Sequence, residues 1–413
     1  MSRPEVVVVG AGAVGLWCAC TLAEAGLRVT VLERRHPGAG ASWGNAGWVV
    51  PSHSVPLAHP GALRRGLRWL LDPESPLYVP LRLEGRLWSW LWQFRRFSTP
   101  AHVRRAVPLL VRLQRRSAEL YGQLAAQGLE FGWQRAGSMS TFLDPQEYRG
   151  FLDEVELLRQ EGVAAEEMDA PSAREWEPLL RAGLAGAVYF PEDGHLDPAA
   201  LVAALAQRAV QLGAKVQSGT EVRLRADGRK VTVETPTWRA QPQLLVVAAG
   251  VWSALLLRGV GVRLPVVPAK GYSITVDGQA GPCCPLMLTE ARVAVTPLRG
   301  PDGSPRVRLA GTLELGVWDS QPRSRRVDAI RKAVGRYLQL DPQGGEVWAG
   351  LRPCTPDGLP VVGRPRALDN LLVATGHGTL GISLAPATAE LVAQLARGED
   401  PEEVRLLRPD RFG

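Results

Sequence analysis

Four consecutive valines, Val6 to Val9, run straight into glycines at positions 10, 12 and 15. No other stretch narrows so far what the chain can fold into. The valines are β-branched and apolar, which suits one strand buried on both faces. Leu16 to Ala25 continues as a helix that Gly26 ends. Leu27 to Leu32 returns as a second strand, with Glu33 at its tip. Strand, glycine turn, helix, strand and acid in that order make a βαβ unit carrying the dinucleotide fingerprint. Gly10 permits the tight turn, Gly12 lets backbone approach a pyrophosphate, and Gly15 lets the helix lie close to the strand. The unpaired N–H groups of the turn, with those of Ala13 and Val14, then face the diphosphate. Glu33 is placed to accept the ribose hydroxyls, and Arg34 follows it at the same edge.

The stretch from Val6 to Ala23 holds 18 residues without a charge, so a membrane span or a signal sequence has to be weighed. Only Arg3 precedes it, glycines interrupt it, and the chain resumes as a strand ending in an acid, all of which favour the nucleotide unit. A chain of 413 residues exceeds what one core usually holds, so two domains are expected. The net charge of +7 comes from arginines scattered along the chain, without a zinc pattern, helix-turn-helix signal or basic tail. That distribution argues against nucleic acid and leaves open a basic face toward an anionic membrane. The cysteines (Cys18, Cys20, Cys283, Cys284 and Cys354) have no CxxC spacing, which favours a reducing compartment and no metal site. The expected location is cytoplasmic, with peripheral contact at the inner membrane left open.

After Glu33 the chain is rich in Gly, Pro and Ser. Its small residues Gly44, Asn45, Ala46 and Gly47 read equally as a surface loop or as a second cofactor loop. Leu63 to Phe97 mixes Trp69, Trp88, Trp90 and Trp92 with Arg64, Arg65, Arg68, Arg82, Arg86, Arg95 and Arg96. That composition suits a helix pair at a membrane interface or over a hydrophobic channel, and equally a helical subdomain around its own tryptophans. Val103 to Gln127, Pro145 to Gly162 and Ala199 to Leu212 predict helices, the last with Asp197 as N-cap and Pro198 in its first turn. Leu244 to Ala249 reads as a buried parallel strand returning to the sheet begun at Val6. Val266 to Val276, Val293 to Leu298 and Arg306 to Leu313 alternate with period two and predict an antiparallel sheet with one wet face. Asp328 to Leu338 reads as a helix, and Leu371 to Thr375 as a short buried strand. A Gly-rich turn from Gly376 to Gly381 opens a closing helix to Leu395, placing more N–H groups at the sheet's ligand edge.

The expected fold class is α/β with an α+β substrate domain. A Rossmann-like nucleotide domain is split in sequence, and an antiparallel-sheet domain is inserted. The expected partition assigns 1–62, 184–262 and 346–400 to the nucleotide domain, and 63–183 and 263–345 to the substrate domain.

These motifs carry a resemblance that covers nearly the whole chain. GAGAVG with Glu33, NAG at Asn45 to Gly47, the Trp-rich stretch near Trp88 to Trp92, and PAKGYSITV from Pro268 all contribute. So do WAGLRPCTPDGLPVVG from Trp348 and TGHGTLGISLAPATAELVAQL from Thr375. The sequence resembles the glycine oxidase and D-amino-acid oxidase superfamily of flavoproteins, and within it the small, flavin-bearing subunit type of D-amino-acid dehydrogenase.

The resemblance implies non-covalent FAD and oxidation of a D-amino acid to an imine, with hydrolysis to a 2-oxo acid and ammonia. Electrons would leave to a quinone or other respiratory acceptor. It assigns the arginine of the GLRP motif, here Arg352, to the substrate carboxylate, a role its planar fork suits. Tyr272, His377 and His53 are further substrate-side candidates from the residues themselves; Tyr272 reads also as sheet packing and His377 as a structural loop histidine. Cofactor contacts fall on Val222, Ala249, Gly250, Gly376, Gly378, Thr379 and Leu380, with the residues named above. Hydride transfer from the α-carbon to flavin N5 follows from position and cofactor electronics, so no general base is assigned. Oxidase relatives carry a further tyrosine on the carboxylate, whereas Arg292 to Thr296 here offers only Val and Ala at the centre. Two alternatives stay open at this point. One is a dehydrogenase or oxidase of a secondary amine or imino acid (D-proline, hydroxy-D-proline, sarcosine or glycine). The other is a non-catalytic FAD-binding electron-transfer subunit. Homo- or hetero-oligomerisation is likewise open.

Overall fold

In the computed structural model, residues 6–61, 77–79 and 85–412 are described. Trp69, Arg64, Arg65, Arg68 and Arg82 lie outside them.

Two sheets organise the molecule. The first has six strands in the order Val361–Gly363, Leu371–Thr375, Leu244–Val247, Val6–Val9, Val29–Leu32, Lys215–Gln217. All neighbours are parallel except the edge strand Val361–Gly363. Strand residues point alternately to opposite faces, and here both faces are covered. Val6, Val8, Val31, Val246 and Leu372 pack against the helices Ala13–Glu24, Pro198–Gln211 and Gly381–Ala396. Val7, Val9, Leu245, Val247 and Val373 pack against the short helix Ser253–Arg258 and a three-stranded sheet. The expected valine strand and the returning Leu244 strand are therefore hydrogen-bonded neighbours, Val6 opposite Leu244. Asp197 caps its helix by accepting from the N–H groups of Ala199 and Ala200, and Pro198 begins it.

The second sheet has nine strands and is mostly antiparallel. From one edge the order runs Glu346–Cys354, Val267–Asp277, Pro305–Leu315, Val293–Arg299, Leu286–Leu288, Ser138–Phe142 and Gly186–Phe190. The expected wet face is absent from these strands: Val267 to Val276 is buried throughout. One face packs on the helix Ser324–Tyr337 through Tyr272, Ile274, Val295 and Leu309. The other face turns toward the nucleotide unit, so the polar alternation reports a second buried surface. The expected partition also needs correction at two points. Gly186–Phe190 and Glu346–Cys354, assigned above to the nucleotide domain, are strands of this second sheet.

The long helix Pro100–Ala126 and the helix Gly85–Phe97 flank the two sheets. Trp90 and Leu87 turn inward, with Trp90 Nε1 donating to the Cys354 carbonyl at 3.1 Å.

Candidate active site

The glycine turn leaves no space for side chains. A Cβ on Gly15 would lie 1.9 Å from the Gly10 carbonyl oxygen, and one on Gly10 would lie 2.6 Å from that of Ala248. Gly10 also has φ +105°, a region that favours glycine. The turn thus holds the first helix, the first strand and the Ala248–Gly250 segment in backbone contact. The helix begins at Ala13 with no acidic residue in its first turn; its N-cap Gly12 has no side chain, and Ser42 Oγ accepts from Ala13 N at 3.0 Å, so no charge compensates its dipole. Glu33 Oε2 accepts from Ala11 N at 2.9 Å, which holds the acid at the strand tip. Thr220 N donates to the Glu33 carbonyl, bringing Val222 to the same edge. Arg34 lies over the Trp252 ring at 5.0 Å. The cradle, the helix start free of acidic side chains and the strand-tip acid fit a dinucleotide: phosphates on the turn, ribose on Glu33.

The second loop is anchored from the other sheet. Buried Arg308 donates from Nη1 to the Asn45 carbonyl at 3.0 Å. Trp48 Nε1 donates to Thr296 Oγ1, which in turn donates to the Ala46 carbonyl. Gly44 carries the Trp348 ring, 2.2 Å from where a Cβ would sit, and Gly47 has φ +81°. The closing turn meets this loop, because Leu380 packs with Ala46 and Trp48. Gly376 and Gly378 both have positive φ, and Thr379 is exposed at the turn's open side.

Below these loops one rung of the second sheet runs Ser140, Met287, Ala294, Ala310, Ser273, Trp348 across successive strands. Small side chains in its middle make a floor. Arg352 lies four residues beyond Trp348 on the same edge strand, paired with Ala269. A Cβ on Gly271 would lie 2.2 Å from the Arg352 guanidinium carbon, and Arg352 Nη1 donates to the Thr312 carbonyl at 2.8 Å. The guanidinium is surrounded by protein yet partly open to water, so it lines a recess. Burial lowers its pKa from the ordinary arginine value, with Cys354 opposing the shift.

His53 has the same combination of depth and partial exposure. Its ring meets Trp48 edge-on at 5.4 Å between centroids, and Trp48 packs on Ala294 of the floor. Burial pushes its pKa down to about 4, Arg292 reinforcing the effect and Glu154 opposing it. Ser52 Oγ lies 2.9 Å from His53 Nδ1 and donates to Asp193 Oδ2 at 2.5 Å. Ser138 Oγ donates to the same oxygen. With its hydrogen on Asp193, Ser52 can only accept from His53, so Nδ1 carries the imidazole proton and Nε2 is the acceptor. Burial raises the Asp193 pKa to about 7, against the hydroxyl donors that favour its charged form.

Two candidates fall elsewhere. Tyr272 precedes Ser273 on its strand and so points to the opposite face from Gly271 and Arg352. It is buried in the core against helix Ser324–Tyr337, and its hydroxyl donates to Glu314 Oε2 at 3.1 Å. His377 turns inward, its Nε2 2.9 Å from Thr388 Oγ1 of the closing helix, and burial pushes its pKa down to about 4. It braces the glycine turn and leaves the recess to others. The sequence reading missed Gly271, Thr312, Arg308 and Asp193. A lone glycine inside a period-two strand was the one available signal, since it marks close approach of another group. Among the described residues no cluster of His, Cys, Asp and Glu could hold a metal ion.

Residues 5–395 match the family model described as FAD dependent oxidoreductase. The chain is 36% identical to the D-amino acid dehydrogenase of Methylobacterium nodulans, over 96% of each chain. It is 35% identical to that of Rhodopseudomonas palustris, over 99% of this chain and 98% of the relative. Among solved structures it is similar to glycine oxidase from Geobacillus kaustophilus, with TM-score 0.81, 25% identity and coverage of 100% and 99%. A glycine-turn cradle of the dinucleotide-binding type accords with those similarities, and the chain belongs to the DAO family of FAD-dependent oxidoreductases.

Proposed function

We propose that this protein oxidatively deaminates a D-amino acid to a 2-oxo acid and ammonia, passing electrons to a quinone or related respiratory acceptor. The observation that carries the reading is Arg352, a half-buried arginine whose guanidinium lies against Gly271. No acid side chain is hydrogen-bonded to it among the described residues; it donates to a backbone carbonyl, that of Thr312. Such a group recognises a carboxylate bidentately.

FAD, when bound, accepts the hydride from the substrate α-carbon and is reoxidised by the electron carrier. The protein's part is placement. Gly10, Gly12, Ala13, Val14 and Gly15 would hold the diphosphate, and Glu33 the ribose. Asn45 to Gly47 and Gly376 to Leu380 would hold the flavin end of the cofactor, and Ala249 and Gly250 support the turn. Arg352 fixes the carboxylate and thereby the direction of the α-hydrogen. His53, a neutral imidazole packed edge-on against Trp48, is the further substrate-side candidate, and it is too weak a base to deprotonate the substrate ammonium, so no general base is assigned. Ser52 and Asp193 hold its tautomer.

The exposed side of helix Gly85–Phe97 supports a peripheral membrane contact. Trp88 and Trp92, one turn apart, are 51% and 62% exposed beside exposed Arg86, Arg95 and Arg96. Aromatic and basic side chains on one helix face suit an anionic lipid surface. No helix among the described residues is long and apolar enough to cross a membrane. Sedimentation with anionic vesicles, and not with zwitterionic ones, is the expected result.

The test of the main reading is anaerobic mixing of the yellow protein with D- and L-amino acids, sarcosine and D-proline. Rapid bleaching by primary D-amino acids is expected. Bleaching by secondary amines alone would move the substrate class, and bleaching by none would remove the assignment.

A further inference from the structure

Behind the face that carries Arg352 lies a buried ionic cluster that the reaction does not touch. Lys270 and Glu314 have no exposed surface and sit opposite each other in register on adjacent strands. Lys270 Nζ donates to Asp319 Oδ1 at 2.6 Å and to the Gln321 carbonyl at 2.5 Å, and lies 3.8 Å from Glu314 Oε2. Glu314 also accepts from the Tyr272 hydroxyl at 3.1 Å and from Arg326 Nε at 3.2 Å, with Arg323 Nη1 at 3.6 Å. Taking so many charges out of water is costly, and apolar residues of similar size would often serve stability as well. The cluster therefore calls for a reason other than stability.

Its place in the ladder supplies one. Lys270 pairs with Glu314 and Tyr272 pairs with Gly311, so Gly271 alone faces two residues, Thr312 and Leu313. That is a β-bulge, and Thr312 in it has φ +65°, a backbone region that a β-branched residue rarely adopts. Such a conformation persists only when its surroundings over-determine it. Here they do so from both sides: the Lys270–Glu314 pair closes one end of the bulge, and the Tyr272 hydroxyl ties the other end to the same carboxylate. The bulge turns the Thr312 carbonyl toward Arg352, which rests on Gly271 between Lys270 and Tyr272. Closing the bulge would slip the strand by one residue and turn that carbonyl to the other face.

We propose that Glu314, held by Lys270 and Tyr272, is a positioning residue for Arg352, acting through the bulge at Thr312 to set the guanidinium where a carboxylate is bound. This rests on Arg352 being the carboxylate anchor.

The test is a double-mutant cycle on the FAD-loaded protein. The probe is pyruvate, a 2-oxo acid, and its dissociation constant is read from the change it causes in the flavin spectrum. Glu314→Gln is expected to weaken pyruvate about ten-fold in the otherwise native protein, with flavin content unchanged. In an Arg352→Met background, already far weaker, the same substitution is expected to add nothing. Unchanged affinity in Glu314→Gln, or an equal loss in both backgrounds, overturns the proposal. Should Glu314→Gln not fold, Tyr272→Phe removes one bond of the same cluster and is judged by the same two comparisons. Native affinity in Arg352→Met would instead sink the anchor reading itself, so the two failures are separable.

Discussion

The Arg352 guanidinium lies against the bare Cα of Gly271, diagonal to it on the neighbouring strand. A methyl group at residue 271 would stand 2.2 Å from the guanidinium carbon, closer than any real contact. Gly271→Ala therefore displaces Arg352 from the recess. The expected outcome is a rise in KM for D-amino acids of about ten-fold or more, since each factor of ten is about 1.4 kcal/mol of lost binding. Flavin content is expected to stay native. Steady-state kinetics with the flavin absorbance checks both, and a native KM would show that Arg352 does not need that approach.

The glycine turn predicts a different failure. A Cβ on Gly15 would meet the Gly10 carbonyl at 1.9 Å, and that atom is backbone, which cannot swing aside. Gly15→Ala must then separate helix from strand just where the N–H groups converge. The variant is expected to purify with little or no FAD, read from the ratio of visible to ultraviolet absorbance. Full flavin occupancy would show that the turn has slack.

Three buried histidines and one buried aspartate set opposing pH dependences. His53, His195 and His377 have folded pKa values near 4, below the ordinary 6.5, because burial disfavours their charged form. Unfolding lets them take up protons between those values, so their contribution is present above pH 6.5 and is lost as pH falls toward 4. Asp193, raised to about 7, acts the other way: its contribution is present below its ordinary 3.8 and lost as pH rises through 7. Between pH 4 and 6.5 the histidines outnumber the aspartate. Stability is expected to rise with pH across that window, measured as Tm, and Asp193→Asn is expected to steepen the rise. A flat profile in both proteins would contradict these assignments.

The inward turn of His377 is checked by its partner. Thr388→Val leaves the imidazole Nε2 without its buried partner, at an expected cost of about 1–3 kcal/mol. A lower Tm with KM for D-amino acids unchanged is the expected pair of results. A changed KM with native Tm would return His377 to the substrate side.

How far the fold was legible depended on whether local pattern and tertiary demand agreed. The valine strand, the glycine spacing and the Asp197–Pro198 helix start were readable because each answers a local requirement of backbone or cap. The wet face was misread because period two reports alternation, and Ser273, Thr275 and Thr296 are polar residues buried toward the other unit. Within the site, Arg352 stood out through its motif. Whether Tyr272 and His377 faced the substrate or the packing stayed open in the sequence, because facing is set by register and by helix packing, which residue type does not encode. Thr312 left no trace at all: its conformation is imposed by a bulge between strands distant from Arg352 in sequence.

The parallel sheet has a consequence for how the protein comes into being. Its first strand, at Val6, is flanked by Leu244–Val247, and beyond that lies Leu371–Thr375. The helix Ala13–Glu24 packs on Pro198–Gln211 and, on another part of its surface, on Gly381–Ala396. During synthesis the glycine turn emerges first, yet the last helix to cover it is made several hundred residues later. Until then the part of the first helix that Gly381–Ala396 covers stays bare, and the glycine turn lacks the closing turn beside it. A chain stopped before residue 371 would expose that part of the apolar face of its own beginning.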